Sequence, residues 1–150
     1  MEFNTQIATT IEQSKKLLEL GIKPETADMT HHYQGSVDYY ELKDIAFTKV
    51  MHLRELINKN PILGRSGDYL YAKDIPAWSL HRLMAMMPLD VIPEGGFDNI
   101  FMLTKNYPSG YSVEYDGFSY YHKENIYDTL IEGIEHLIKE GYFPKEYLEG

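Results

Sequence analysis

The chain has 150 residues, 43% hydrophobic and 25% charged, the balance of one soluble globular domain with enough apolar material for a real core. Its formal charge is −9, of which residues 1–75 carry −2 and residues 76–150 carry −7, and a surface that negative repels phosphate backbones, which disfavours nucleic acid as a partner. Cysteine is absent, which excludes disulfides and thiolate chemistry, and no apolar run nears the roughly 20 residues that span a bilayer.

Residues 1–8 read as an extended lead-in without the basic and apolar regions of a secretory signal, so a cytoplasmic protein is the expectation. Thr9 and Glu12 have capping-box spacing ahead of a helix over about Thr10–Leu20 that turns Ile11, Ser14, Leu17 and Leu18 inward. Gly21 suits the left-handed position after it, Ile22 the accompanying apolar contact, and Pro24 prevents continuation. Pro24–Asp28 makes one further turn. The stretch Met29–Leu42 reads as one or two short strands around Gly35-Ser36, and Ala46, Val50, Leu53 and Ile57 fall at helical spacing, which predicts a helix over roughly 44–59 capped by Asp44. Gly64–Asp68 is a loop and Tyr69–Ala72 a short strand.

Asp74–Pro88 holds the single tryptophan. Ser79 can cap a helix over 79–87 whose stripe is Leu80, Leu83, Met84 and Met87, and Pro88 stops it. Past the Pro93–Gly96 loop the period changes from helical to extended. Asn99–Lys105 is an apolar strand, Tyr107–Gly110 a turn, and Tyr111–Asp116 alternates into the hairpin signal Asp116-Gly117. A two-residue turn there sets Tyr115 opposite Phe118, Val113 opposite Tyr120 and Tyr111 opposite His122, all on one face. Asn125 then caps a last helix with the stripe Ile126, Leu130, Ile134, Leu137 and Ile138, ended by Gly141, after which Tyr142-Phe143-Pro144 folds back and leaves a polar tail.

Chemistry is sparse. His31 and His32 are the candidates for a metal, yet neighbours on a strand point to opposite faces and no His-Glu-x-x-His pattern exists, so no metal is expected. His122, beside Glu124 and opposite Tyr111, could act as an acid or base. Gly64-Arg65-Ser66-Gly67 could hold an anion through Arg65 and backbone donors. His52, His81 and His136 fit boundary positions, and Glu132, Glu135 and Glu140 read as a solvated acidic face. No Gly-x-Ser-x-Gly elbow or phosphate loop is present, and no cofactor is expected.

Ile7–Ser14, running through Leu17-Leu18-Glu19-Leu20-Gly21-Ile22 to Thr26-Ala27-Asp28-Met29, and Asp74–Leu80 ending at Pro88 together give the chain a likeness. It resembles a group of small uncharacterised bacterial proteins, often encoded by phages or other mobile elements. The resemblance implies an intracellular accessory protein and carries no activity or catalytic residue with it.

The expected fold is α+β, a single domain over 1–150. Its antiparallel β-meander at about 99–123 packs with three main helices at about 10–20, 79–87 and 125–140, and a further helix lies at 44–59. The favoured function is a non-enzymatic interaction protein. It meets another protein with a basic surface through an acidic, tyrosine-rich face (thirteen tyrosines), and neither nucleic acid nor membrane. The alternative is a small-molecule or nucleotide binder with a pocket near Trp78, with Tyr111, Tyr120, His122 and Arg65 as further binding candidates; the third is an enzyme working through His122 or the His31/His32 pair.

Overall fold

The first helix forms where Thr10, with extended backbone, accepts the Gln13 backbone N–H on its hydroxyl (3.2 Å) while the Gln13 side chain accepts the Thr10 N–H (3.0 Å). A computed structural model describes residues 6–33, 48–52, 74–92, 96, 99–115 and 120–150. In it α1 spans Ile11–Glu19 and buries Ile11, Ser14 and Leu17. The capping box therefore sits one residue later than the Thr9–Glu12 spacing suggests. Thr9 is consumed elsewhere: it is fully buried, its hydroxyl lies 2.8 Å from that of Ser14 and accepts the Trp78 N–H (3.0 Å), and its own N–H donates to the Trp78 carbonyl (2.9 Å). At the other end Gly21 adopts φ +87°, and the amides of Gly21 and Ile22 donate to the carbonyls of Leu18 and Leu17. This is the doubled bond pattern of a helix closed by a left-handed residue. A 3₁₀ turn at Pro24–Thr26 follows, as Pro24 directs.

Among the described residues the strands form two antiparallel sheets. The first has three strands, β1 (Met29–Tyr33), β2 (Thr48–His52) and β3 (Ile75–Ala77), in the order β2-β1-β3. His31 pairs with Val50 on one side and Ile75 on the other. Residues 48–52 are therefore strand, and the helix expected over 44–59 does not run through them; the rest of that range, the Tyr69–Ala72 strand and the Gly64–Asp68 loop lie outside the described residues. The helical spacing of Val50 was real but outweighed, because Val50 and Met51 of β2 pair with His31 and Thr30 of β1, with Met51 buried and His52 exposed.

Helix α2 (Leu80–Met86) is capped by Ser79, whose hydroxyl accepts the Arg82 N–H (3.1 Å) and whose own N–H donates to Asp28 (2.9 Å). Leu83, Met86 and Met87 are buried, while Met84 is 37% exposed. The inward stripe thus holds Met86 in place of Met84, since the helix has barely two turns and its buried face is set by its two ends, Leu80 and Met87. The second sheet has four strands, β4 (Asp90–Val91), β5 (Asn99–Lys105), β6 (Tyr111–Tyr115) and β7 (Tyr120–Lys123), in that order and antiparallel throughout. Its β6–β7 register pairs Ser112 with His122, Val113 with Tyr121 and Glu114 with Tyr120. That is one residue off the arrangement expected from a two-residue turn. Residues 115–119, an odd number, separate the pair Glu114–Tyr120, so the partner faces exchange: positions 120 and 122 leave the Val113 face and Tyr121 joins it.

Helix α3 (Ile126–Glu140) covers the inner face of this sheet. Asn125 caps it, accepting from Tyr127 and Asp128, and Gly141 at φ +79° ends it. Its stripe of Leu130, Ile134 and Leu137 is fully buried and joined by Tyr127 and Ile131. At Gly133 the helix comes so close to β6 that a Cβ would stand 3.4 Å from Val113 Cγ1. The main core gathers Leu17, Ile22, Trp78, Leu83, Met86, Val113, Tyr115 and the α3 stripe. Each fully buried aliphatic side chain there contributes about 1.5–3 kcal/mol. A second, smaller cluster joins Ala8, Met29 and Ala77 under the three-stranded sheet. The tail after Phe143 is not loose: Leu148 bridges to Ile22, and Glu149 N–H donates to the Gly21 carbonyl (2.7 Å). The architecture is α+β with three helices among the described residues, none long and apolar enough to cross a membrane.

Candidate functional site

Strand β5 is apolar on both faces, which a strand covered on one side does not require. Phe101 and Leu103 turn inward and pack against the core, Phe101 with its ring 5.7 Å from that of Tyr115. Ile100 and Met102 turn outward and stay 59% and 41% exposed, and no helix is described on that side. The ladder then decides what flanks them. Asp90 of β4 pairs with Ile100, and Glu114 of β6 pairs with Met102. Each exposed apolar residue therefore has a carboxylate directly across the strand, on opposite sides of β5. Two strand spacings and a two-residue offset put the two acidic positions about 12 Å apart, with the apolar pair between them. Ile92, two residues on from Asp90, is also exposed.

The ends of this strip are fixed by local chemistry. Where α2 stops at Pro88, the Tyr115 hydroxyl donates to the Pro88 carbonyl (3.0 Å) and Phe101 N–H donates to Leu89 (2.9 Å), which lays β4 beside β5. At the far end residues 106–110 fold over the sheet. Asn106 donates to the Ser112 hydroxyl and Ser109 donates to Glu124 (2.9 Å). Gly110 passes beneath His122 at φ +87°, so close that a Cβ would fall 2.5 Å from the imidazole Nε2. His122 is thereby an exposed lid on a turn, 3.4 Å from the Ser109 carbonyl, and Tyr111 is half-buried on the opposite face, paired with Lys123.

The other expected site residues are scattered. Trp78 is fully buried and its indole N–H donates to the Thr26 hydroxyl (2.9 Å), so the ring is a core anchor. A groove of about 300 Å³ is lined by Lys15, Leu18, Pro24, Asp74, Ile75 and Pro76, the last three leading into Trp78, but the indole is not among its walls. Tyr120 is paired with Glu114, and Arg65 lies outside the described residues. His31 and His32 do point apart. The His31 Nε2–H donates to the Thr9 carbonyl (2.8 Å), and burial pushes its pKa down. The His32 Nδ1–H reaches both oxygens of Asp74 at 3.1 Å. That orients an imidazole as a general base would need, yet His32 is a wall of neither groove described in this section. No group of three or more metal-ligating side chains exists among the described residues.

The acidic face of α3 is largely neutralised. Glu135 takes Lys16 at 3.1 Å and Lys139 at 3.0 Å, and those two ammonium hydrogen bonds hold its carboxyl below the usual range. Glu132 takes Lys123 at 3.1 Å. The Lys16–Glu135 and Lys123–Glu132 pairs line a groove of about 370 Å³ between α1 and α3. The tyrosines divide as well: Tyr115 and Tyr127 are core residues whose hydroxyls burial raises in pKa, while Tyr107 is almost wholly exposed.

Sequence reasoning passed over Ile100, Met102, Asp90 and Glu114. The available signal was the failure of 99–105 to alternate in polarity, which left apolar side chains for both faces. Comparison of the chain with protein-family models, with curated proteins and with solved structures finds no match.

Proposed function

We propose that the protein is a non-enzymatic interaction protein that docks another protein on the outer face of its four-stranded sheet, acting as an accessory factor in the cytoplasm. One observation carries this reading: Ile100 and Met102 remain exposed in the middle of a sheet, each with a carboxylate across the strand. Burying the apolar pair supplies affinity, and Asp90 and Glu114 select a partner with basic groups and speed its approach. The net charge of −9 works in the same direction at longer range. The likeness of Ile7–Met29 and Asp74–Pro88 to proteins of phages and other mobile elements supports an accessory role.

The test is quantitative capture from a lysate by the wild-type chain and by the double variant Ile100→Asp, Met102→Asp. Both positions are exposed, so the fold should persist by circular dichroism, at a cost of about 1–2 kcal/mol for setting each Asp opposite Asp90 or Glu114, while the captured partner is lost. If every captured protein is retained equally by the variant, the outer face is not the docking surface.

A second reading has its own observation, the 300 Å³ groove with mostly apolar walls and the opposite charges of Lys15 and Asp74. Thermal-shift screening with nucleotides and metabolites separates the two. A ligand that stabilises the wild type but not Leu18→Arg would favour the groove, because tight binding to the folded state must stabilise it.

A further inference from the structure

Resting on the docking face just proposed, we infer that its partner presents an amphipathic helix with basic residues at i and i+7 flanking apolar residues at i+3 and i+4. The geometry supplies the period. Asp90 and Glu114 stand diagonally across β5, about 12 Å apart, and Ile100 and Met102 lie between them, about 7 Å from each other along the strand. Seven residues of α-helix rise about 10.5 Å and return to the same face, so long Lys or Arg side chains at i and i+7 span the two carboxylates. The i+3 and i+4 side chains then meet Ile100 and Met102. A helix lying along this diagonal crosses the strands obliquely.

Charge decides against the nearest rival, a second copy of this chain. A two-fold contact on the same face would bring Asp90 and Glu114 of one copy against those of the other, with −9 on each chain. Like charges brought together across an interface oppose association. Added β-strand pairing does not account for the strip, because Ile100 and Met102 present side chains from the face of the sheet, whereas an added strand would engage backbone at an edge.

The experiment uses the full chain, labelled for NMR, and two synthetic helical peptides with the same Leu-Leu centre, one flanked by Lys at i and i+7 and the other by Glu. The Lys peptide should bind at low salt, moving the amides of Ile100, Met102 and Glu114 and not those of α3. It should bind at least fivefold more tightly than the Glu peptide and weaken as salt rises from 50 to 300 mM, where screening shortens to well under 10 Å. Asp90→Lys with Glu114→Lys should reverse the preference between the peptides, a result that misfolding cannot mimic. Equal binding of both peptides, shifts confined to α3, or concentration-dependent dimerisation abolished by Met102→Asp would each overturn the inference. Loss of the lysate partner in the Ile100→Asp, Met102→Asp variant, with no peptide binding, would leave the docking face standing and remove the helix alone.

Discussion

The hydrogen bond between the Trp78 indole and the Thr26 hydroxyl can be weighed by a double-mutant cycle. Trp78 is fully buried and Thr26 is 7% exposed, so neither group can turn to water when the other is removed. The Thr26 hydroxyl is fully used: it accepts from the indole at 2.9 Å and donates to the Lys23 carbonyl at 2.7 Å. Thr26→Val keeps the shape, strips the indole N–H of its acceptor and costs about 1–3 kcal/mol, the penalty of a buried unsatisfied donor. Trp78→Phe removes the same bond and leaves a void where the pyrrole ring was, for about 2–3 kcal/mol. The double variant has no orphaned indole donor, so its cost should fall short of the sum by about 1 kcal/mol or more. Urea denaturation followed by circular dichroism at 222 nm gives all four values, provided the slope with denaturant is unchanged. Additivity within about 0.3 kcal/mol would refute the claim that this bond anchors the segment.

Two further outcomes follow from buried or crowded groups. His31 has a folded pKa below its ordinary 6.5 because burial disfavours the charged ring. Its contribution is therefore complete above pH 6.5 and is lost as the pH falls below 6.5 toward the depressed folded value. Denaturation midpoints at pH 7.5 and 5.5 should differ more for the wild type than for His31→Gln, and equal differences would contradict this. Glu135, whose pKa is lowered, acts below 4.5 and does not overlap that window. Gly110→Ala should destabilise by about 2 kcal/mol or more, combining a left-handed backbone with a Cβ 2.9 Å from the Lys123 carbonyl; a loss under 0.5 kcal/mol in urea melts would mean the turn relaxes freely.

Helix ends proved the most readable part of the sequence, because a cap is a local contract between a side chain and a backbone a few residues away. Gly21, Ser79, Asn125 and Gly141 all do what their residue types suggest. Where tertiary partners compete, local reading slips. Thr9 and Thr10 are equally good caps, and only the demand of Trp78 on Thr9 selects Thr10. β6 and β7 pair antiparallel, but the register decides which face position 122 occupies, and the Asp116-Gly117 signal, which lies outside the described residues, does not carry that parity. Val50 satisfies a helical period and still pairs as a strand. The proposed docking face was the least legible. Its carboxylates come from β4 and β6, and only the register brings Asp90 and Glu114 beside Ile100 and Met102.

The two-residue length of β4 has a consequence for self-association. An exposed apolar pair on a strand is ordinarily an invitation to stack sheet on sheet, and an open strand edge an invitation to extend the ladder. Here the apolar pair lies on the face of β5 and not along an edge ladder, while the edge strand β4 is too short to template another strand and begins just after Pro88. Asp90 and Glu114 then serve as gatekeepers, since self-stacking must bury their charges uncompensated. The acids that would choose a basic partner in the proposed role also oppose stacking of the strip on itself. Neutralising them should raise affinity for nothing in particular and make the protein prone to aggregate.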